Sequence, residues 1–111
     1  DRIVLTGFSQ GAFMAMALGT RHQDLFAGVI PVGGGYIPEI DAPPEATRTS
    51  PRFYFLVGSL DQAAAQTRRA ADDYEKAGYE VRLRVAANVG HTFPRPLKRE
   101  LGRALEFVLD R

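Results

Sequence analysis

Segments patterned as strands alternate with segments patterned as helices along this chain, and that alternation restricts its fold more than any other feature of the sequence. Four short segments have strand patterns: residues 2–6, 26–32, 52–57 and 79–85. Three segments have helical patterns: residues 10–18, residues 62–77 and the segment that follows Pro96. Because a helix that connects two parallel strands crosses over in a right-handed sense, the order β-α-β-loop-β-α-β-α predicts an α/β fold, with a mostly parallel sheet and flanking helices.

The segments differ in how much of their surface the pattern predicts to be buried. Residues 3–5 are apolar without interruption, as in an interior strand, whereas residues 79–85 alternate apolar and charged side chains, as in a strand with one solvated face. Pro31 cannot donate a hydrogen bond to a sheet, so it predicts a strand end or a bulge. Residues 10–18 are apolar on nearly every side, which predicts a helix packed on several sides.

Two regions outside the strands carry further expectations. Residues 33–51 contain three glycines and four prolines with little periodicity, which predicts an irregular loop with a function of its own. The last helix has apolar residues at helical spacing, which predicts a buried stripe. These residues are Leu97, Leu101, Ala104, Leu105 and Val108.

Composition excludes several classes of function. The 111 residues include 14 Lys and Arg against 13 Asp and Glu, a net charge of +1 that favours neither nucleic-acid binding nor a polybasic membrane anchor. The absence of cysteine excludes disulfides and thiolate zinc sites, and two histidines are too few for a histidine-rich metal cage. No apolar run reaches the roughly 18 residues of a membrane span, and a strand pattern begins at once after Asp1. A soluble protein without a signal peptide is expected, with the cytoplasm as the favoured compartment.

The sequence Gly-Phe-Ser-Gln-Gly at residues 7–11 lies between the first strand pattern and the first helical pattern. In that context G-x-S-x-G predicts a sharp, strained strand-to-helix turn that raises the Ser9 hydroxyl clear of the backbone. The turn would also set the Gln10 N–H at a helix N-terminus, where it can stabilise an oxyanion. Ser9 is therefore the candidate nucleophile, and the alternative is a glycine-rich turn in which Ser9 caps the helix.

A serine nucleophile needs a base that also protonates the leaving group, and histidine suits both tasks. His91 follows the last strand pattern directly, at the carboxyl end of a strand where α/β sheets bind their ligands. His22 lies among polar residues at the end of the first helix opposite Ser9, as a surface histidine does. His91 is therefore the candidate base, with a plain loop histidine as the alternative.

The third group should be a carboxylate that orients the histidine. Asp61 follows the third strand pattern at its carboxyl end, which makes it the candidate acid. The alternative is a capping box in which Ser59 caps the next helix, Gln62 reaches back and Asp61 is an ordinary first-turn acid. Glu39 and Asp41, in the long loop, are the reserve acids.

The long loop also carries apolar residues that are candidates for contact with a substrate. Tyr36 and Ile37, followed by Pro38, are expected either to line an acyl or alcohol pocket or to pack as a lid, and the sequence favours neither.

The order Ser9, Asp61, His91 and the motifs around them make the chain resemble the C-terminal half of an α/β-hydrolase. Residues 7–11 together with Asp-Leu-Phe-Ala-Gly-Val-Ile at residues 24–30 are similar to the phospholipase/carboxylesterase and dienelactone-hydrolase-like esterases. The resemblance covers residues 1–111 and implies a nucleophile elbow at 7–11, a variable loop at 33–51, an acid loop at 58–62 and a histidine loop at 88–93. It further implies a serine hydrolase without cofactor or metal, acting on small-molecule esters or thioesters through an acyl-enzyme.

Two departures from that family accompany the resemblance. Residues 62–65 read Gln-Ala-Ala-Ala where the family often has a proline-containing loop. The N-terminal half of the fold, with the loop that supplies a second oxyanion N–H, is not present in the chain. Residues 3–5 would then form a bare apolar edge strand, which predicts a missing N-terminal segment, a partner chain or a homodimer that covers this edge.

Two other functions remain open at the level of sequence. The chain could be a non-catalytic hydrolase-like module that pairs with a partner through residues 3–5. A phosphate-binding domain built on residues 7–11 is less favoured, because no P-loop lysine and no G-x-G-x-x-G follows a strand pattern.

Overall fold

Four parallel strands form one sheet, and their spatial order is their order along the chain. The computed structural model describes residues 2–110, so Asp1 and Arg111 lie outside the described residues. The strands are β1 (Val4–Phe8), β2 (Gly28–Val32), β3 (Arg52–Gly58) and β4 (Val81–Ala86). All three strand pairs are parallel, which confirms the predicted α/β fold and its mostly parallel sheet.

Helices cover both faces of the sheet. They are α1 (Gln10–Arg21), α2 (Pro38–Asp41), α3 (Ala64–Lys76) and α4 (Leu97–Leu109). Among residues 2–110, no helix combines the length and the hydropathy needed to cross a bilayer.

The alternation of side chains along β3 divides the core into two clusters. Phe53 and Phe55 pack on one face with residues of α1 and α3, including Met16 and Tyr74. On the opposite face, Tyr54 and Leu56 pack with Ala104 and Val108 of α4. Burial on both faces of β3 explains why residues 53–57 are apolar without alternation.

Two expectations, one about Pro31 in β2 and one about the long loop that follows, were wrong. Pro31 neither ends β2 nor makes a bulge, because it pairs with Gly7 of β1 and the register with β3 has the same offset at Val29 and at Val32. The segment 33–51 is not wholly irregular, since Pro38–Asp41 forms the short helix α2, with a proline in its first turn.

Two helix ends also differ from the sequence pattern. The helix α3 begins at Ala64 rather than at residue 62, and Ala63 precedes it without any side-chain cap, so the capping box of Ser59 and Gln62 does not form. Leu97 was expected in the buried stripe of α4, but it lies in the first turn and is exposed. The rest of the stripe packs as expected, with Ala104 and Val108 fully buried.

The surface of α1 is more exposed than the sequence predicts. The strand β1 pairs only with β2, so within residues 2–110 it is an edge of the sheet, as expected for residues 3–5 when no further strand covers them. On α1, the side chains of Phe13, Met14 and Leu18 are 38%, 54% and 40% exposed, whereas Ala12 is buried. The expected packing on several sides is absent because the described chain covers only one face of α1.

Candidate active site

The loops that leave the carboxyl ends of the four strands meet at one edge of the sheet. They surround an open cleft with a volume of about 500 Å³. Its lining comprises Ser9, Gly33, Gly35, Leu60, Asp61, Gln62, Ala63, Gln66 and His91. Parallel strands produce this convergence because all their carboxyl ends lie on the same side.

Ser9 occupies a tight turn between β1 and α1. Its backbone has φ 59° and ψ −115°, a strained region for any residue with a Cβ. The Ser9 N–H donates to the Val32 carbonyl at 2.8 Å, which ties the turn to the end of β2. A Cβ at Gly7 would lie 2.2 Å from the Gly11 carbonyl oxygen, so this turn requires glycine at position 7.

The Ser9 side chain does not cap the helix it precedes. No hydrogen bond joins the Ser9 hydroxyl to the N–H groups of α1. Instead, Ser9 Oγ lies 2.9 Å from His91 Nε2. This distance is that of a hydrogen bond between the hydroxyl and the ring nitrogen.

His91 reaches Ser9 from the loop after β4 and contacts Asp61 with its other nitrogen. His91 Nδ1 lies 2.8 Å from Asp61 Oδ2, while the His91 side chain is 49% exposed and that of Asp61 only 2%. The Phe8 ring packs against the imidazole with 4.7 Å between the ring centroids. These contacts on both ring nitrogens and on the ring itself hold one orientation of the imidazole.

Asp61 is held by its own loop as well as by His91. Its second oxygen, Oδ1, accepts a hydrogen bond from the Ala63 N–H at 2.8 Å. Since the carboxylate accepts only, His91 Nδ1 carries the proton in this pair and Nε2 is left as the acceptor for Ser9. The three side chains therefore form one continuous chain of hydrogen bonds, Ser9 to His91 to Asp61.

The Gln10 N–H lies beside Ser9 at the start of α1. The Ser9 carbonyl accepts the N–H groups of Ala12 and Phe13, so the first helical bonds begin beyond Gln10. Among the described residues no carbonyl accepts the Gln10 N–H, as is usual in the first turn of a helix. A Cβ at Gly11 would meet nothing within 4 Å, so within residues 2–110 only Gly7 of the two motif glycines is required sterically.

The structure separates Tyr36 and Ile37 from the cleft. Tyr36 is 3% exposed and belongs to the core, and its hydroxyl donates to Asp73 Oδ2 of α3 at 2.7 Å. Ile37 is half exposed beside α2 and does not line the cleft. Of the two alternatives at these positions, Tyr36 therefore follows the packing one rather than the contact with substrate.

The remaining candidates also lie away from Ser9. His22 is exposed at the opposite end of α1, where its N–H donates to Leu18. The Asp41 carboxylate accepts the Ile37 N–H at 2.8 Å, and neither Glu39 nor Asp41 lines the cleft.

Sequence reasoning missed two residues that shape the site. Phe8 is the variable residue before Ser9, and nothing in the pattern points to its contact with His91. Gly33 has φ +62°, and a Cβ there would lie 3.1 Å from Asp61 Oδ2 and 3.3 Å from the Phe8 ring. The run of glycines at 33–35 was the available signal, because a left-handed residue at a strand end favours glycine.

The family of the chain follows from comparison with known proteins. The model of the phospholipase/carboxylesterase family matches residues 1–108. The chain belongs to the phospholipase/carboxylesterase family. This result confirms the resemblance carried by residues 7–11 and 24–30. No curated protein matches the chain.

Several solved structures share the fold of this family member. It is similar to esterase PE8 (24% identity, TM-score 0.77), covering 95% of this chain and 49% of that one. It is also similar to SOBER1 of Arabidopsis thaliana (15% identity, TM-score 0.76; 96% and 52% covered). A protein of Bacillus cereus gives 19% identity and a TM-score of 0.79, with 99% and 37% covered. The chain thus spans about half the length of the two named proteins.

The placement of Tyr36 predicts a pH-dependent loss of stability in Tyr36→Phe. The hydrogen bond from Tyr36, aided by Arg69, holds the pKa of Asp73 below its usual range. A carboxyl group whose pKa is lower in the folded state stabilises the protein at pH values above its pKa in the unfolded state. That stabilisation is lost as the pH falls through the pKa of the folded state. We expect urea unfolding to show a loss of about 1 kcal/mol at pH 7 that shrinks toward about pH 3.

Tyr79→Phe is the matched control, because the Tyr79 hydroxyl donates to the uncharged Pro44 carbonyl at 2.9 Å. Its loss of stability should not depend on pH over the same range. An unchanged stability in Tyr36→Phe, combined with an altered KM for an ester, would contradict the packing role of Tyr36.

Proposed function

We propose that this chain carries the catalytic groups of a serine hydrolase that cleaves carboxylic esters or thioesters through an acyl-enzyme. The observation that supports it is the hydrogen-bonded series Ser9 Oγ, His91 Nε2, His91 Nδ1 and Asp61 Oδ2, with steps of 2.9 and 2.8 Å. Membership of the phospholipase/carboxylesterase family supports the same reaction class. In this proposal Ser9 is the nucleophile, His91 the base and Asp61 the acid that orients it.

The reaction proceeds in two acyl transfers. Ser9 Oγ attacks the carbonyl carbon while its proton passes to His91 Nε2, and the tetrahedral intermediate then breaks its bond to the alcohol or thiol as His91 returns the proton to it. Water repeats the sequence on the acyl-enzyme, losing a proton to His91 and releasing the acid and free Ser9. Asp61 stabilises the imidazolium that forms in each half.

The Gln10 N–H is the proposed donor to the oxyanion. It lies at the positive end of α1, next to the carbonyl carbon that Ser9 would attack. The Ser9 N–H is not free to act as a second donor, since it is bonded to the Val32 carbonyl. In this fold the second donor comes from a loop of the N-terminal half, which lies outside residues 2–110.

The substrate would be a small neutral ester or thioester that enters from the open side of the cleft. Apart from Ser9, Asp61 and His91, the lining consists of glycines, the amides Gln62 and Gln66, Ala63 and Leu60. Within residues 2–110 no lysine or arginine lines this cleft, so recognition of an anionic head group by charge is not favoured.

The exposed surface of β1 and α1 supports a second part of the proposal. The strand β1 is an edge strand with unpaired backbone groups, and α1 beside it exposes the apolar side chains of Phe13, Met14 and Leu18. In folded proteins such a surface is normally covered by another protein segment. The solved relatives are about twice as long as this chain. We therefore assign residues 1–111 to the triad-bearing half of the hydrolase fold, with a further strand of the same fold covering β1.

Labelling by a fluorophosphonate tests the nucleophile, because this probe reacts with an activated serine and needs no particular substrate. In the native protein, Ser9 should be labelled and Ser9→Ala should abolish the labelling. His91→Gln should slow it about 10²-fold or more, since the general base is lost. The rate is measured by gel fluorescence, and the labelled peptide is identified by mass spectrometry.

His22→Gln is the matched control and should label at the unchanged rate, because His22 lies at the far end of α1. Labelling that survives in Ser9→Ala would discard the nucleophile. A native protein that is folded but never labelled would favour the alternative, a non-catalytic module that acts by pairing with a partner.

The covered-edge proposal predicts that the chain of 111 residues self-associates when it is alone. We expect sedimentation equilibrium to give a mass above 12.2 kDa that falls toward the monomer in Met14→Lys with Leu18→Glu. Leu97→Lys is the control. Leu97 is 55% exposed, close to the 54% of Met14, but it lies on α4. A folded monomer at all concentrations that hydrolyses an ester would contradict the need for a further segment.

A further inference from the structure

Hydrogen bonds join the loop that carries Asp61 to the loop that carries His91. The Ser59 N–H donates to the Ala86 carbonyl at 2.9 Å, continuing the ladder between β3 and β4 by one step. Beyond it, the Leu60 N–H donates to the Val89 carbonyl at 2.8 Å. The acceptor thus moves from Ala86 to Val89, three residues along, while the donor moves by one.

A left-handed residue makes that jump possible. Asn88 has φ 61°, a conformation that turns the chain back toward β3 and that asparagine adopts more readily than most residues. The Asn88 N–H donates to the Ser59 hydroxyl at 2.8 Å. The Ser59 hydroxyl therefore binds the turn at Asn88, the residue with the left-handed backbone.

The backbones of the loop that carries Asp61 and the loop that carries His91 are in close contact at Gly58. A Cβ at Gly58 would lie 2.1 Å from the Val89 carbonyl oxygen, so the backbone of the histidine loop passes directly over β3. Val89 precedes His91 by two residues, and Leu60 immediately precedes Asp61. A change in the turn at Asn88 would therefore displace His91 relative to Asp61, whose hydrogen bond is 2.8 Å long.

We propose that Ser59 is a positioning residue, whose hydroxyl holds the turn at Asn88 and thereby sets the contact between His91 and Asp61. Ser59 touches neither Ser9 nor the cleft, so it acts through the histidine loop. The catalytic importance of this contact rests on the proposed function, whereas the coupling between the two loops does not.

The test compares Ser59→Ala with Ser59→Thr, which keeps a hydroxyl acceptor. Ser59→Ala should speed the exchange of the His91 Nδ1 proton and of the Leu60 amide with water by about fivefold, the size expected for loss of one hydrogen bond. Both are measured by NMR on the folded chain, with no turnover required. In Ser59→Ala, fluorophosphonate labelling of Ser9 should also be slower than in the native protein by a similar factor. Ser59→Thr should restore the two exchange rates and the labelling rate.

Ser50→Ala is the matched control. The Ser50 hydroxyl also accepts a backbone N–H, that of Thr47 at 2.8 Å, but it lies in the loop before β3 and away from the cleft. Its removal should leave the His91 proton and the labelling rate unchanged.

The outcomes separate this inference from the proposed function. If Ser59→Ala changes exchange only at the Asn88 amide, or if Ser50→Ala has the same effect on His91, the positioning role is overturned. Faster exchange at His91 and Leu60 supports the coupling even in a protein whose Ser9 proves unreactive, a result that would overturn the proposed function alone.

Discussion

The parallel register of the four strands is the constraint on which the rest of this structure depends. Pairing of Phe8 with Val32 and of Gly58 with Ala86 brings the ends of β1, β2, β3 and β4 to one edge. Residues that are far apart in the chain, Ser9 and His91, then come within 2.9 Å. A shift of one strand by one residue would also exchange its two faces and move Phe53 and Phe55 out of their cluster, so the core and the site depend on the same register.

Close backbone contacts convert that register into a defined geometry. The strained φ of Ser9 is maintained because its N–H is bonded to Val32 and because glycine at position 7 allows the approach of Gly11. Gly58 plays the corresponding part at the other side of the cleft, beneath Val89. Side chains then complete the arrangement, with Phe8 against the His91 ring and the Ala63 N–H on Asp61. Close backbone contacts therefore set the shape of the cleft, and the side chains are positioned within it.

Local patterns in the sequence predicted the strands and the long helices, because each depends on neighbours along the chain. Features that depend on distant partners could not be predicted in this way. The Ser59 hydroxyl resembled a helix cap, but its partner is Asn88, and the sequence left lining and packing open for Tyr36 because its partner, Asp73, lies on α3. The exposed face of α1 was missed for a related reason, since apolar composition indicates that a surface is covered but not which segment covers it.

The proposed function requires that Ser9, activated by His91 and Asp61, becomes acylated by a carboxylic ester. Its most direct test is to mix the native protein with an activated ester, quench the reaction before turnover is complete, and locate the acyl group by peptide mass spectrometry. The proposed function predicts one acyl group on the peptide that contains Ser9, none on that peptide in Ser9→Ala, and no ester hydrolysis by that variant beyond the rate in buffer. An acyl group on another residue, or hydrolysis that persists undiminished in Ser9→Ala, would contradict it.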